Sequence, residues 1–405
     1  MAIVAVAALA LPAPPVVVVA AVAAAAIIAD AWLARREPGL RRSVAAVAAR
    51  GVRAPFRIDV HGVDAARVRV RQPRTADVVF DPPEGTAHIA GTFTAMRRGR
   101  HPLVAVAARR TGPLGLAAWN FRGDGHATLT VFPDVVLARK LATAVRRGAL
   151  FEGGRWARGP LGLGTEYEST RDYQPDDDVR QLNWAATARV GRPMSNQFRV
   201  EQDRDVVALV DTGRLMAAPL GDRTRLDAAL DAVAALAAVA DEVGDRCGVL
   251  AFDEEIRRHV ASRRRGADAV IGAVYDLEPR PVDSDYELAF RSIRNTKRAL
   301  VCVFTDLFDE GAARSLLDAV PVLTRRHALI IVSASDPEIV RYATAAADDA
   351  RTGWARVVAT DLITTRRQVV AGLAATGASV TEAPARELPE AVVRQYLRFK
   401  QQARL

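Results

Sequence analysis

Hydrophobic and polar positions divide the 405-residue chain into three regimes. From Met1 to Ala29 no residue is charged; Asp30 comes first, then Trp32, Arg35, Arg36, Arg41 and Arg42. The span from Pro15 to Leu33 has the length that a bilayer core requires of a helix. Residues 2–11 are apolar too but too few to cross alone as a full helix, and Pro12, Pro14 and Pro15 break any continuous helix between the two. Three readings compete: a single span preceded by an apolar stub, a tight hairpin with a short first arm, and a cleaved signal peptide. A signal peptide carries a positive region before its apolar core, and none is present, so residues 1–35 are expected to be a membrane anchor. The arginines after it place the bulk of the chain in the cytoplasm by the positive-inside rule.

Residues 44–135 alternate short β-like runs with Gly and Pro punctuation. Examples are Phe56–Val60, Val68–Arg71, Asp77–Asp81, His88–Phe93, Pro102–Val106 and Ala127–Phe132. That spacing predicts a small β-sandwich without catalytic spacing. Residues 136–200 read as a connector: a helix around Leu137–Arg147, then a flexible lead-in at Gly153, Gly154, Gly159, Gly162 and Gly164. No phosphate-loop pattern occurs there.

From Asp205 the period changes. Val206–Val210 reads as a buried strand, Asp222–Val243 as a helix with Leu226, Leu230, Val233 and Leu236 on one face, and Cys247–Phe252 as the next strand with Ile256–Val260 as its hairpin partner. Helices at 266–277 and 286–293, the apolar strand Ala299–Phe304, a helix at 310–323 and the strand His327–Val332 follow. Asp336-Pro337 opens a further helix as N-cap and first position. A helix near Thr360–Ala375, a short strand at Ala378–Thr381 and a last helix from Pro389 end the chain. Continuously apolar strands alternating with helices predict a doubly wound parallel α/β sheet covered on both faces, over 201–385, with 386–405 as the C-terminal helix.

Composition changes this picture little. The formal charge is +9, but only three of the 56 basic residues are lysines, and the longest basic cluster, Arg263-Arg264-Arg265, reads as a solvated loop. There is no basic stripe with stacking aromatics, so nucleic acid is not expected as a partner. Cys247 and Cys302 sit inside apolar runs as reduced, buried thiols, and the scattered histidines have no zinc spacing.

Candidate chemistry lies at the strand ends. Two strands finish at Asp211 and Asp306, where open α/β sheets bind ligands. Two converging carboxylates suit a hard cation, Mg²⁺ or Mn²⁺, if hydroxyls complete the shell. The arrangement resembles the von Willebrand factor type A fold, whose first strand ends in D-x-S-x-S. Asp211-Thr212-Gly213-Arg214-Leu215 keeps the aspartate but has Gly213 and Leu215 in place of the serines. The middle threonine loop falls near Asp283-Ser284-Asp285, with Ser284 as the substitute hydroxyl, and Thr305-Asp306 matches the later element. The tentative, degenerate metal set is therefore Asp211, Ser284 and Asp306. Two further readings stand beside it: Arg214 as an internal cation next to Asp211, and both aspartates as helix caps.

The stretch Gly164–Arg189, GTEYESTRDYQPDDDVRQLNWAATAR, is dense in acids, arginines and aromatics. It resembles the signature of the DUF58 family at Gly164, Glu166, Tyr167, Arg171, Tyr173, Asp177, Asp178, Arg180, Trp184, Ala188 and Arg189. It departs at Asp176, Leu182 and Asn183. Arg98-Gly99-Arg100, Gly112-Pro113-Leu114-Gly115-Leu116, Val131-Phe132-Pro133 and Tyr396–Lys400 resemble further landmarks of that family. Physically, Arg171, Arg180 and Arg189 are expected to pair with Glu166, Asp172 and Asp176–Asp178 over a packed Trp184 and Tyr173, clamping two domains. The alternatives are an acidic docking surface at 176–178 and an acid–base dyad. The resemblance implies a bacterial, membrane-anchored interaction protein, not an enzyme, that works with a MoxR-type AAA+ ATPase in envelope-related assembly. Competing readings are a metal-dependent hydrolase using Asp211, Asp306 and the acidic run, and an exported adhesin.

Overall fold

The computed structural model describes residues 13–123, 127–148, 161–174, 177, 179–199, 204–293, 298–307, 310–346 and 348–401. The expected apolar stub at 2–11, the glycines 153, 154 and 159, and Asp176 and Asp178 lie outside them, as do the side chains of Glu166, Tyr167 and Arg180. The chain divides into two compact units, Met1–Val131 and Phe132–Leu405.

The first unit opens with an apolar helix, α1 (Ala13–Ala34), whose Pro14 and Pro15 fall in its first turn, where proline is tolerated. One helix among the described residues is long and apolar enough to span a membrane, over Val16–Ala34. Antiparallel sheets follow. Strands β1 (Gly39–Val44), β3 (Arg53–His61), β5 (Val78–Asp81) and β7 (His88–Ala95) form one in the order β1-β3-β7-β5. Strands β4 (Val68–Arg71), β6 (Glu84–Thr86), β9 (Ala107–Thr111) and β10 (Ala118–Arg122) form another, ordered β10-β9-β4-β6. A third joins β2 (Val47–Ala49), β8 (Gly99–Leu103) and β11 (Ala127–Phe132). Their alternate residues (Phe56, Ile58, Val68, Val70, Phe80, Phe93, Leu129, Val131) share one core, the period-two burial expected of strands with one covered face.

In the second unit Asp134 caps α2 (Val135–Arg146) by accepting from the Leu137 amide, and its own amide donates to Asp231 of the central helix at 2.9 Å. The 136–200 region, expected as a connector with a helix at 137–147, carries that helix and further structure. The signature folds as a bulged hairpin, β12 (Leu161–Asp172) against β13 (Met194–Arg199), with the short helix α3 (Trp184–Val190) between them. After β14 (Asp205–Asp211), a two-stranded turn of β15 (Pro219–Leu220) and β16 (Arg223–Thr224) leads into α4 (Arg225–Glu242). Thr224 and Asp227 form a capping box at its start. Then come β17 (Arg246–Phe252), β18 (Ile256–Arg263), α5 (Ala267–Val274), α6 (Tyr286–Ile293), β19 (Ala299–Phe304), α7 (Glu310–Thr324), β20 (Ala328–Ser335), α8 (Pro337–Thr344), α9 (Ala350–Ala375), β21 (Ser379–Pro384) and α10 (Leu388–Gln401).

The sheet runs β18-β17-β14-β19-β20-β21, parallel except for the edge hairpin partner β18. Counted from β14, this is the doubly wound order 3-2-1-4-5-6. Apolar clusters cover both faces, which is why β14, β17 and β19 are hydrophobic without alternation. α4 is buried on nearly every side, and its alanines make that close approach possible. Helix α9 begins ten residues earlier than expected, because its first turns carry Trp354, Val357 and Val358 toward solvent and so show no amphipathic period.

Candidate functional site

In a sheet of this order the crevice opens where the chain's crossings reverse, between β14 and β19 at their carboxyl ends. Asp211 ends β14, and Thr305-Asp306 follow β19 directly. Asp211 is buried, and protein donors meet both its oxygens. Oδ1 accepts from the Gly213 amide at 2.8 Å and from Ser284 Oγ at 2.5 Å. Oδ2 accepts from Thr305 Oγ1 at 2.7 Å and from the Tyr286 hydroxyl at 3.0 Å. Burial, and next the Asp211 charge, raise the Tyr286 phenol well above its ordinary range.

Asp306 is equally buried, and its partner is a cation: the Arg225 guanidinium, from the first turn of α4, bonds Oδ1, which also accepts from the Leu307 amide at 2.8 Å. Burial pushes the Asp306 carboxyl up, against the pull of Arg225 and of Arg366. Burial pushes the Arg225 guanidinium down, against the pull of Asp306. Both directions register the desolvation cost of a buried pair.

The sequence-derived set of Asp211, Ser284 and Asp306 is therefore brought to one edge. Arg214, the other cation suggested for this edge, has its Nε 2.5 Å from Asp283 Oδ1, beside Ser284. Arg225, from the next helix, is the cation bonded to Asp306.

A third strand-end carboxylate escaped the sequence reading. Asp253 follows β17, is fully buried, and accepts from Arg257 Nη1 at 2.7 Å, Thr212 Oγ1 at 3.2 Å and the Glu255 amide at 3.2 Å. Burial alone raises its carboxyl, but those bonds hold it below the usual range. The available signal was the run Val249–Phe252 ending in an aspartate, as β14 does.

Whether a divalent ion suits this edge depends on the donors. A Mg²⁺ or Mn²⁺ shell needs oxygen lone pairs directed at one point. Here the hydroxyls of Ser284, Thr305 and Tyr286 are turned onto Asp211, and the Asp306 charge is met by Arg225. A side chain at Gly213 has no room: its Cβ would lie 2.3 Å from Ser284 Oγ and 2.9 Å from the Val282 carbonyl oxygen. Among the described residues no cluster of three His, Cys, Asp or Glu side chains is placed to hold a metal. An ion bound here would have to compete with Arg225 for Asp306 and with the protein donors on Asp211.

At the opposite edge, Asp245 accepts from Lys400 Nζ at 2.6 Å and from the Tyr396 hydroxyl. These residues are one turn apart on α10, so the closing Tyr396–Lys400 run is a buried clamp. Cys247 and Cys302 are free and buried; burial raises the Cys302 thiol to about 12, and Cys247 is pushed up for the same reason. Neither is a thiolate nucleophile.

In the signature, Arg171 Nη2 meets Asp177 Oδ1 at 2.5 Å, and the Tyr173 hydroxyl donates to the Asp177 carbonyl at 3.1 Å. Burial works against ionisation of Asp177, but the Gln174 amide and Arg171 hold its carboxyl low. Asp172 pairs with Arg192, outside the matched pattern, at 3.2 Å. Trp184 does not pack beneath this network. It is 71% exposed at the first position of α3, whose cap is the departure residue Asn183. Arg189 is in the exposed last turn of the same helix.

Comparison with known proteins fits this region. The chain aligns at 24% identity over 185 residues with uncharacterized proteins of two Mycobacterium tuberculosis strains and of Mycobacterium bovis. The alignment covers 44% of this chain and 57% of each relative, so the chain spans little more than half the length of those proteins. Residues 169–379, from inside the signature hairpin to the start of β21, match the family described as "Protein of unknown function DUF58". With half of its length matched, the chain belongs to the DUF58 family.

Proposed function

We propose that this protein is a membrane-anchored, cytoplasmic binding protein whose α/β unit is von Willebrand A-like and whose partner is a MoxR-type AAA+ ATPase in bacterial envelope-related assembly. The observation that carries the binding reading is that protein donors and cations engage the strand-end carboxylates. Asp211 accepts two protein bonds on each oxygen, and arginines meet the charges of Asp306 and Asp253, so among the described residues these carboxylates are engaged in contacts within the fold. The 3-2-1-4-5-6 sheet with aspartates at its switch point supports the type A-like reading, and the one-core antiparallel region supports the sandwich.

Retention of the anchor draws on Asp30. This residue of α1 is buried and accepts three amides from the Gly112–Ala117 loop, so removing the helix as a signal peptide would take a structural member from the β unit. The partner is proposed from the family resemblance and from the exposed signature tryptophan. The test is capture of purified candidate AAA+ ATPases by the full-length chain in lipid nanodiscs, with and without Mg²⁺-ATP. Specific retention of a MoxR-type ATPase is expected; retention of none overturns the partner assignment.

A further inference from the structure

The loop that closes the β9–β10 hairpin, Gly112-Pro113-Leu114-Gly115-Leu116-Ala117, has an unusual hydrogen-bond economy. The Leu114, Leu116 and Ala117 amides donate to the Asp30 carboxylate at 2.7, 2.8 and 2.9 Å. The Gly112 amide donates to the Ala117 carbonyl at 2.9 Å, and the Gly115 amide to the Gly112 carbonyl at 3.0 Å. Pro113 has no N–H. Every backbone donor of the loop is thus met by protein. Gly112 makes the seat possible, since a Cβ there would lie 2.3 Å from Asp30 Oδ1; Gly115 supplies a positive φ of 72°.

The side chains point the other way. Leu114 is 62% exposed and Leu116 54% exposed. No residue from Gly112 to Phe121 is charged. A loop with exposed leucines and every amide bonded within the protein gives up no amide–water bond on entering the headgroup interface, where its carbonyls still meet water. Its depth is set by Asp30, four residues before the end of α1, or about 6 Å along the helix. Around it are the residues of a membrane interface. Trp32 is exposed, the Trp119 indole donates to the Ala31 carbonyl at 3.0 Å, and the Arg35 guanidinium lies 4.6 Å from the Trp119 ring centre.

We infer that the Gly112–Ala117 loop is a second membrane contact, held at the end of the span by Asp30 and inserting Leu114 and Leu116 into the lipid interface. The inference rests on the reading of α1 as a membrane span. A groove of about 420 Å³ beside the loop is lined by Arg67, Arg69 and Thr111. Arg67 is paired with Asp64 at 3.0 Å and Arg69 with Glu84 at 2.6 Å. The contact is therefore apolar insertion, not recognition of an anionic headgroup.

The test uses the full chain in phosphatidylcholine vesicles containing a spin-labelled lipid quencher. Its native thiols are buried, so introduced cysteines take an environment-sensitive fluorophore selectively. Three positions are labelled: Leu114→Cys, Ile28→Cys in the span, and Val79→Cys, exposed elsewhere on the β unit. Quenching and a blue shift at 28 and 114, with neither at 79 and no dependence on added anionic lipid, support the inference. Quenching at 28 with position 114 behaving like 79 overturns the loop contact and leaves the span reading intact. No quenching at 28 overturns the span, and the loop contact with it. Quenching at 114 that appears only with anionic lipid overturns the apolar-insertion assignment.

Discussion

Ser284 Oγ occupies the space that a side chain on Gly213 would need, 2.3 Å from an ideal Cβ there. The backbone at 213 is ordinary, with φ −74° and ψ −176°, so the constraint is steric. Gly213→Ser, which restores one residue of the D-x-S-x-S pattern, is expected to destabilise the protein by about 1–3 kcal/mol, the usual cost of overpacking. Combining it with Ser284→Gly recovers part of that loss. Denaturant unfolding of the two variants checks this; an unchanged midpoint for Gly213→Ser would place Ser284 elsewhere.

The Arg225–Asp306 pair is buried on both sides. Arg225→Met removes the bonded cation from a buried carboxylate and is expected to cost about 3–5 kcal/mol. The double variant Arg225→Met, Asp306→Asn loses less than the sum of its singles. A double-mutant cycle with zero coupling would remove the pair from the account.

His327 gives the folded state a pH dependence near neutrality. It is buried at the start of β20, with Nδ1 accepting from the Ala299 amide at 3.3 Å. Burial, then the Arg326 charge, hold the imidazole below its ordinary value of 6.5. The unfolded chain therefore binds the extra proton first. Stability from this residue is complete above about pH 6.5 and declines as pH falls from there toward the folded value. His327→Asn should flatten that part of a stability-versus-pH curve; an unaltered slope between pH 7 and 5 contradicts it.

Trp184 separates two roles for the signature. A clamp residue would be packed, whereas this one is 71% exposed. Trp184→Ala is expected to change stability by less than about 0.5 kcal/mol while reducing capture of the ATPase at least tenfold, as loss of an aromatic anchor does. A large drop in melting temperature would return the tryptophan to a structural role.

Much of the scaffold was legible because its signals are local. The continuously apolar runs at 206–210 and 299–304 are central strands, and their terminal aspartates lie together at one edge of the sheet. Ser284 was found from its neighbourhood in a loop. Arg225 was not, because a helix's first arginine looks solvent-facing until the fold brings Asp306 onto it from 81 residues away. Asp253 was missed since two acids follow it and the run Asp253-Glu254-Glu255 reads as a polar turn. The signature hairpin was missed because its charges hide the strand pattern. Asp30 read as the polar end of an apolar span, and nothing local announced that a loop 84 residues on would fold over it.

A protein cation and protein donors engage the strand-end carboxylates in place of a metal ion. The most direct measurement is the thermal melt of the full-length protein in EDTA against millimolar Mg²⁺ and Mn²⁺. The same melting temperature is expected in all three. A bound ion at one hundred times its Kd would add about 2.7 kcal/mol, on the order of 5–10 °C for a unit of this size. A rise of that extent, abolished by Asp211→Ala, would contradict the account.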